Sequence, residues 1–245
     1  MNLFKARYQD GARLDIGGLP VRLSVNRRAR RVSLRIDHPR REAVAVAPSL
    51  AALSAAAAFA RERREWIAER LAALPAARSI DPAQPLVVFG EPWRLIADGR
   101  RPRLLAAAGG SPAQLIGCGA GEVDGQLVAR AVKKAALRVF TQCAGAHCRV
   151  LNVAMPPITI IDARSRWGSC TPARAGKTAR VRLSWRLALA PAAVADYVVA
   201  HECAHLIEAN HGPRFWTLVR DLIGDAGPHR AWLRAEGGAL HAYDF

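Results

Sequence analysis

Residues 191–216 read P-A-A-V-A-D-Y-V-V-A-H-E-C-A-H-L-I-E-A-N-H-G-P-R-F-W, and inside them lies His201-Glu202-x-x-His205, a spacing that is chemically useful only on a helix. Four residues advance an α-helix by about 400° and roughly 6 Å, so the two imidazoles stack on one face and can share one ion. Glu202 follows the first imidazole and falls at the edge of that face, within reach of a water held by the ion. The flanks suit a helix: Pro191 fits the first helical position, and Asp196 puts negative charge in the N-terminal part. Val194, Tyr197, Val198, His201, His205 and Glu208 recur at helical spacing, so both histidines share the stripe predicted to face the interior. The competing reading is a pair of core histidines satisfied by backbone carbonyls; the glutamate between them favours the metal.

A catalytic zinc takes three protein ligands and keeps one position for water. His211 is the leading third ligand. In a continuous helix it would lie about 15 Å along the axis from His201 and face elsewhere, so the helix must stop between His205 and His211. Asn210 tolerates the left-handed conformation, and Gly212-Pro213 follows. The H-x5-H spacing matches the metzincin pattern, with Glu208 in place of the glycine that would permit the turn there. Either Asn210 makes the turn, or His211 stands outside the ligand shell and a carboxylate such as Glu236 completes it.

Moving outward, residues 164–190 contain an alternation of Ala179, Val181, Leu183, Trp185 and Leu187 against Arg180, Arg182, Ser184 and Arg186. This predicts a half-buried antiparallel strand, paired through a turn at Ala173–Lys177 with Trp167-Gly168-Ser169-Cys170. Taken alone the hairpin reads as plain sheet; beside an active helix it can order an extended substrate by strand addition, which makes Arg166, Trp167, Gly168, Ser169, Arg182 and Ser184 the substrate-binding candidates. Residues 125–149 keep helical periodicity and predict a long helix backing the central one; Cys148 on it points about 100° away from His147, so Cys143, His147 and Cys148 are not read as a second metal site. Earlier in the chain, residues 20–47 read as a β-meander with turns at Asn26 and at Asp37-His38-Pro39. Ser49–Leu74 reads as one helix, and 84–122 as short strands with a hairpin turn at Gly90-Glu91-Pro92.

The chain has 245 residues, 51% of them apolar, enough for a full core. No run of about 18 apolar residues occurs and the first residues lack the apolar centre of a signal peptide, so the expectation is a cytoplasmic protein with no membrane span. Five cysteines at irregular spacing fit a reducing compartment. The net charge of +16 favours polyanions, but it is spread along the chain rather than gathered in a tail. The cluster Arg27, Arg28, Arg30 and Arg31 is read as a solvated hairpin end, with non-specific nucleic-acid contact as its functional alternative.

Taken together, Arg166–Cys170, Val181–Leu187, Asp196–Leu206 and Asn210–Trp216 resemble the YgjP-like metallopeptidase family over nearly the whole chain, and more distantly the SprT-like zinc proteases. The resemblance implies zinc held by His201, His205 and His211, one ion per chain, with Glu202 as general base on a protein or peptide substrate. Cys203 stands where an apolar residue looks typical of the family. The expected fold is α+β, with a β-rich N-terminal lobe over residues 1–122 and a zincin-like catalytic lobe over 123–245. Tyr197, His229, His241, Tyr243 and the arginines are open as the oxyanion donor. Two other functions compete: a zinc hydrolase acting on a phosphate-bearing small molecule such as a nucleotide, and a nucleic-acid-associated module with a structural zinc.

Overall fold

The computed structural model describes residues 8–37, 40–76, 78–108, 110–119, 121–163, 166–174, 176, 178–243 and 245. Residues 1–7, the His38-Pro39 pair of one expected turn, Arg164 and Ser165, and Ala175 and Lys177 of another turn lie outside them. The described residues form an α+β protein of six α-helices, a short 3-10 helix and three small mixed sheets. They divide into two compact units, Met1–Ala76 and Ala77–Phe245.

In the first unit the strands are β1 (Arg13–Asp15), β2 (Pro20–Val25), β3 (Ser33–Asp37) and β4 (Glu42–Ala47), in the order β1-β2-β4-β3. This is not the expected meander. β4 is buried at every position, so it takes the centre, pairing parallel with β2 and antiparallel with β3, which is left at the edge. Its alternate alanines, Ala43, Ala45 and Ala47, let helix α1 (Leu53–Glu62) lie close, packing Leu53, Ala56, Ala57 and Ala60 on Val21 and Leu23. The single helix expected over Ser49–Leu74 is broken at Arg63, after which α2 (Arg64–Ala72) buries Ile67.

The second unit opens with strands β5 (Leu86–Val88), β6 (Glu91–Ile96), β7 (Arg103–Leu105) and β8 (Ala113–Ile116), in the order β5-β6-β8-β7. The hairpin turn falls at Phe89 and Gly90, both with positive φ (53° and 84°), one residue before the expected place. Paired left-handed residues match the right-handed twist of the flanking strands. Leu86, Val88, Trp93, Leu95 and Leu115 share one core with the remainder of this unit. The boundary expected at 122/123 therefore lies at 76/77.

Helix α3 (Gly125–Val150) begins at Asp124, whose carboxylate accepts the Gln126 and Leu127 amides at 2.8 and 3.4 Å. Strands β9 (Ile158–Ile161), β10 (Gly168–Thr171) and β11 (Arg180–Ser184) form a sheet in the order β10-β11-β9. The expected hairpin is present, with Gly168 opposite Leu183 and Cys170 opposite Val181. The alternation predicted to run through Leu187 ends at Ser184, where a 3-10 helix (Trp185–Leu189) takes over and buries every residue. Arg186 is thereby drawn inside instead of facing solvent. Its Nε donates to Asp162 at 2.9 Å, and one Nη donates to the carbonyls of Leu240 and Tyr243 at 3.1 and 3.2 Å. Helices α4 (Ala192–Ala204), α5 (Pro213–Ile223) and α6 (Gly227–Leu240) complete the unit. No helix among the described residues is long and apolar enough to cross a membrane.

Candidate metal centre

Helix α4 is buried nearly all round, with Val194, Ala195, Tyr197–Ala200 and Glu202–Ala204 inside. It is a central helix, not one with a single inward stripe. Pro191 stands at the N-cap, its carbonyl accepting the Val194 and Ala195 amides. On the α3 side, His147 Nε2 lies 2.8 Å from Asp196 Oδ1. Burial works against ionising Asp196, but the hydrogen bond and charge of His147 outweigh it and hold the carboxyl below its ordinary range. Cys143, pushed up to about 12 by burial and by Asp196, belongs to the same cluster, whereas Cys148 faces Cys203. These groups tie α3 to α4 and do not assemble with the three histidines described next.

The helix ends at His205. The Leu206 and Ile207 amides donate to Cys203 and Ala204 three residues back, and the chain leaves in ordinary tight turns. Asn210 is not among the positive-φ residues, so the left-handed turn expected there is not used. The release of the helix at His205 brings His211 round. Gly212 caps α5 in extended conformation, Pro213 starts it, and Arg214 holds the turn through Glu208 at 3.1 Å.

The three imidazoles converge: ring centroids of His201, His205 and His211 are 4.7–5.0 Å apart, and one nitrogen from each falls within 4.8 Å of the others. Phe215, fully buried, packs against all three at 4.5–4.8 Å. His205 Nδ1 lies 2.9 Å from the Glu208 carbonyl. Donation to that oxygen leaves the Nε2 lone pair free, the arrangement by which a neighbouring group orients a metal-binding imidazole. His201 and His211 present Nε2 to Nε2 at 3.1 Å, and His201 Nδ1 is buried with no hydrogen-bond partner. Burial, then the charges of His205, His211 and Arg230, lower the His201 pKa to about 4. His211 is lowered as well, by desolvation and by His205 and Arg230. Three imidazoles that bring one nitrogen each to a common point, His201 and His211 with their protonation disfavoured, offer the donor set taken by a cation of the borderline-soft kind that zinc exemplifies. Glu236 is exposed on α6 and lies outside this group.

Glu202 is buried beside the trio at 6% exposure. Burial raises its carboxyl to about 7, against the opposing effects of the Cys170 backbone amide and the Arg166 charge. Strand β10 crosses directly over it. A Cβ at Gly168 would fall 2.5 Å from Glu202 Oε1, so only glycine lets the strand come so close. Trp167 stacks on His241 at 5.0 Å, and its carbonyl accepts the Ser184 amide at 2.8 Å. Ser169 lies opposite Arg182, which is exposed. Ser184 is at 0% exposure, so of the six substrate-binding candidates it alone has no surface to offer a ligand.

Among the residues considered as oxyanion donors, Tyr197 sits edge-on to His201 at 5.9 Å, and His229 stacks on Tyr197 at 5.8 Å. Tyr243 packs with Phe245 and under Arg78. Sequence reasoning missed Phe215 as the floor of the site, Arg230 at its rim, and the Asp196–His147 pair. The only advance signals were an aromatic residue just after the Gly-Pro cap and a histidine on the apolar side of α3.

The YgjP-like metallopeptidase domain matches residues 30–236 of the chain. No curated protein and no solved structure matches it.

Proposed function

The chain belongs to the YgjP-like metallopeptidase family, and on that premise we propose that it is a zincin-like zinc peptidase, with His201, His205 and His211 holding one ion per chain and Glu202 as the general base. The observation that carries this reading is the convergence of three imidazoles beside a buried glutamate under a sheet edge. When bound there, zinc supplies Lewis-acid activation of a water and of the scissile carbonyl. Glu202 takes the proton from the attacking water on a carboxylate oxygen and returns it to the leaving amine. In the metal-free protein burial raises this carboxyl to about 7, which favours its accepting a proton. Strand β10 lies at the edge of its sheet, so an extended peptide can pair along Trp167, Gly168 and Ser169 with its carbonyl near Glu202. The three-ligand set among the described residues supports an ion with an open position over a closed structural site.

Metal analysis of purified protein tests the ligands: His201→Ala and His205→Ala lose the zinc, His211→Ala weakens it, and Glu236→Ala does not change it. Glu202→Gln keeps the metal while turnover falls by about 10²–10⁴, the usual worth of a general base. Wild type that takes up no zinc, or Glu202→Gln at near wild-type turnover, refutes the assignment.

A further inference from the structure

We propose that the peptides taken by this site are acidic, drawn by two guanidinium groups at its rim, Arg166 and Arg230, that have no acidic partner among the described residues; the inference rests on the peptidase reading above. Arg166 is exposed and stands two residues before Gly168, where β10 touches the Glu202 side chain, and its charge is felt at Glu202. Arg230, on α6, is also exposed. Its guanidinium lies 4.8 Å from the centre of the Trp216 ring, and that ring lies 6.0 Å from His211 and 6.1 Å from His201. Its charge reaches His201, His211 and Tyr197.

Neither arginine has an acidic partner among the described residues. The neighbouring carboxylates are spent: Glu202 is buried beneath β10, and Glu208 is paired with Arg214 at 3.1 Å. An unneutralised guanidinium resting on an aromatic face keeps its donors available for a carboxylate. One cation lies just before the strand that would pair with the peptide, the other on the helix beside the proposed metal ligands. A peptide lying along β10 with its scissile carbonyl at Glu202 would therefore bring side chains near both, and Asp or Glu there would replace repulsion by attraction.

The test is binding, separate from cleavage. Labelled decapeptides of alternating Asp and Ala, or Lys and Ala, are titrated against zinc-supplemented Glu202→Gln protein by fluorescence anisotropy. The acidic peptide binds at least ten-fold tighter, and less so as salt rises. Arg166→Gln or Arg230→Gln costs about three-fold, the pair about ten-fold, and Arg230→Lys keeps most of the affinity. Equal affinity for the two peptides, or an acidic preference that survives the double substitution, overturns the proposal. A ten-residue oligothymidylate that binds more tightly than the acidic peptide, and is weakened by the same substitutions, also overturns it by making nucleic acid the ligand. Failure of zinc-loaded wild type to cut denatured casein, with the acidic preference intact, would sink the peptidase reading and leave the acidic-ligand site standing.

Discussion

Replacing Gly168 by alanine should slow catalysis about a hundredfold and leave the metal in place. The added Cβ would lie 2.5 Å from Glu202 Oε1, 2.7 Å from Cγ and 2.8 Å from Cδ. Ordinary non-bonded contact needs roughly 3.5 Å, so the carboxylate must retreat by about 1 Å. A misplacement of about 1 Å in a reacting group costs about 10² in rate, so turnover should fall about a hundredfold. The three atoms nearest the methyl all belong to Glu202 and none to a histidine of the trio, so zinc content should equal that of wild type. Overpacking of this kind costs about 1–3 kcal/mol, a drop in thermal midpoint of a few degrees to about ten. The decisive measurement is a double-mutant cycle: in a Glu202→Gln background the methyl has no base left to displace, so Gly168→Ala should cost almost nothing further. Wild-type turnover in Gly168→Ala, or a full additional hundredfold loss in the Glu202→Gln background, would show that the glycine does not act through the glutamate.

The pH dependence of the metal-free protein follows from the same carboxylate. Its folded pKa, about 7, stands above the ordinary 4.5, so the folded state holds the proton more tightly, and ionising Glu202 costs stability. Wild type should therefore match Glu202→Gln best below pH 4.5 and fall behind it between pH 4.5 and 7, by at most about 3 kcal/mol. Thermal midpoints of the two proteins that keep a constant gap from pH 4 to pH 8 would contradict this. Arg186→Leu should destabilise the second unit by about 1–3 kcal/mol, because the Leu240 and Tyr243 carbonyls lose their donor in the interior. Denaturant melts of Arg186→Leu that coincide with wild type would refute it.

The centre of the site was legible because helix geometry fixes it: residues four apart on α4 must share a face, whatever the helix packs against. What surrounds the helix was not. Burial of α4 on nearly all sides comes from α3, α5, α6 and β10, and no local period encodes those partners. His211 joins the trio as expected, yet by way of a helix that simply ends at His205, since tight turns without left-handed residues leave little mark in the sequence. The alternation across Arg180–Leu187 continued past Ser184 although the backbone did not, and that hid both the burial of Ser184 and the inward turn of Arg186. The parallel pairing of β2 with β4, and the docking of β5–β8 on the core of the second unit, join distant segments and lay beyond any reading of neighbours.

The exposure of the three imidazoles is unequal, and this sets the order in which an ion held there would be exchanged. His201 and His205 come from the end of a buried helix, whereas His211 is exposed, on a turn restrained by the Glu208–Arg214 pair. If the trio holds an ion as proposed, His211 should close last on loading and open first on release, and an incoming chelator should meet the ion from that side. Arg214→Ala loosens the turn without touching a ligand, so it should speed zinc transfer to a chelator more than it weakens equilibrium affinity. On that reading, the residence time of an ion here would be set by a surface turn and not by the helix that carries its signature.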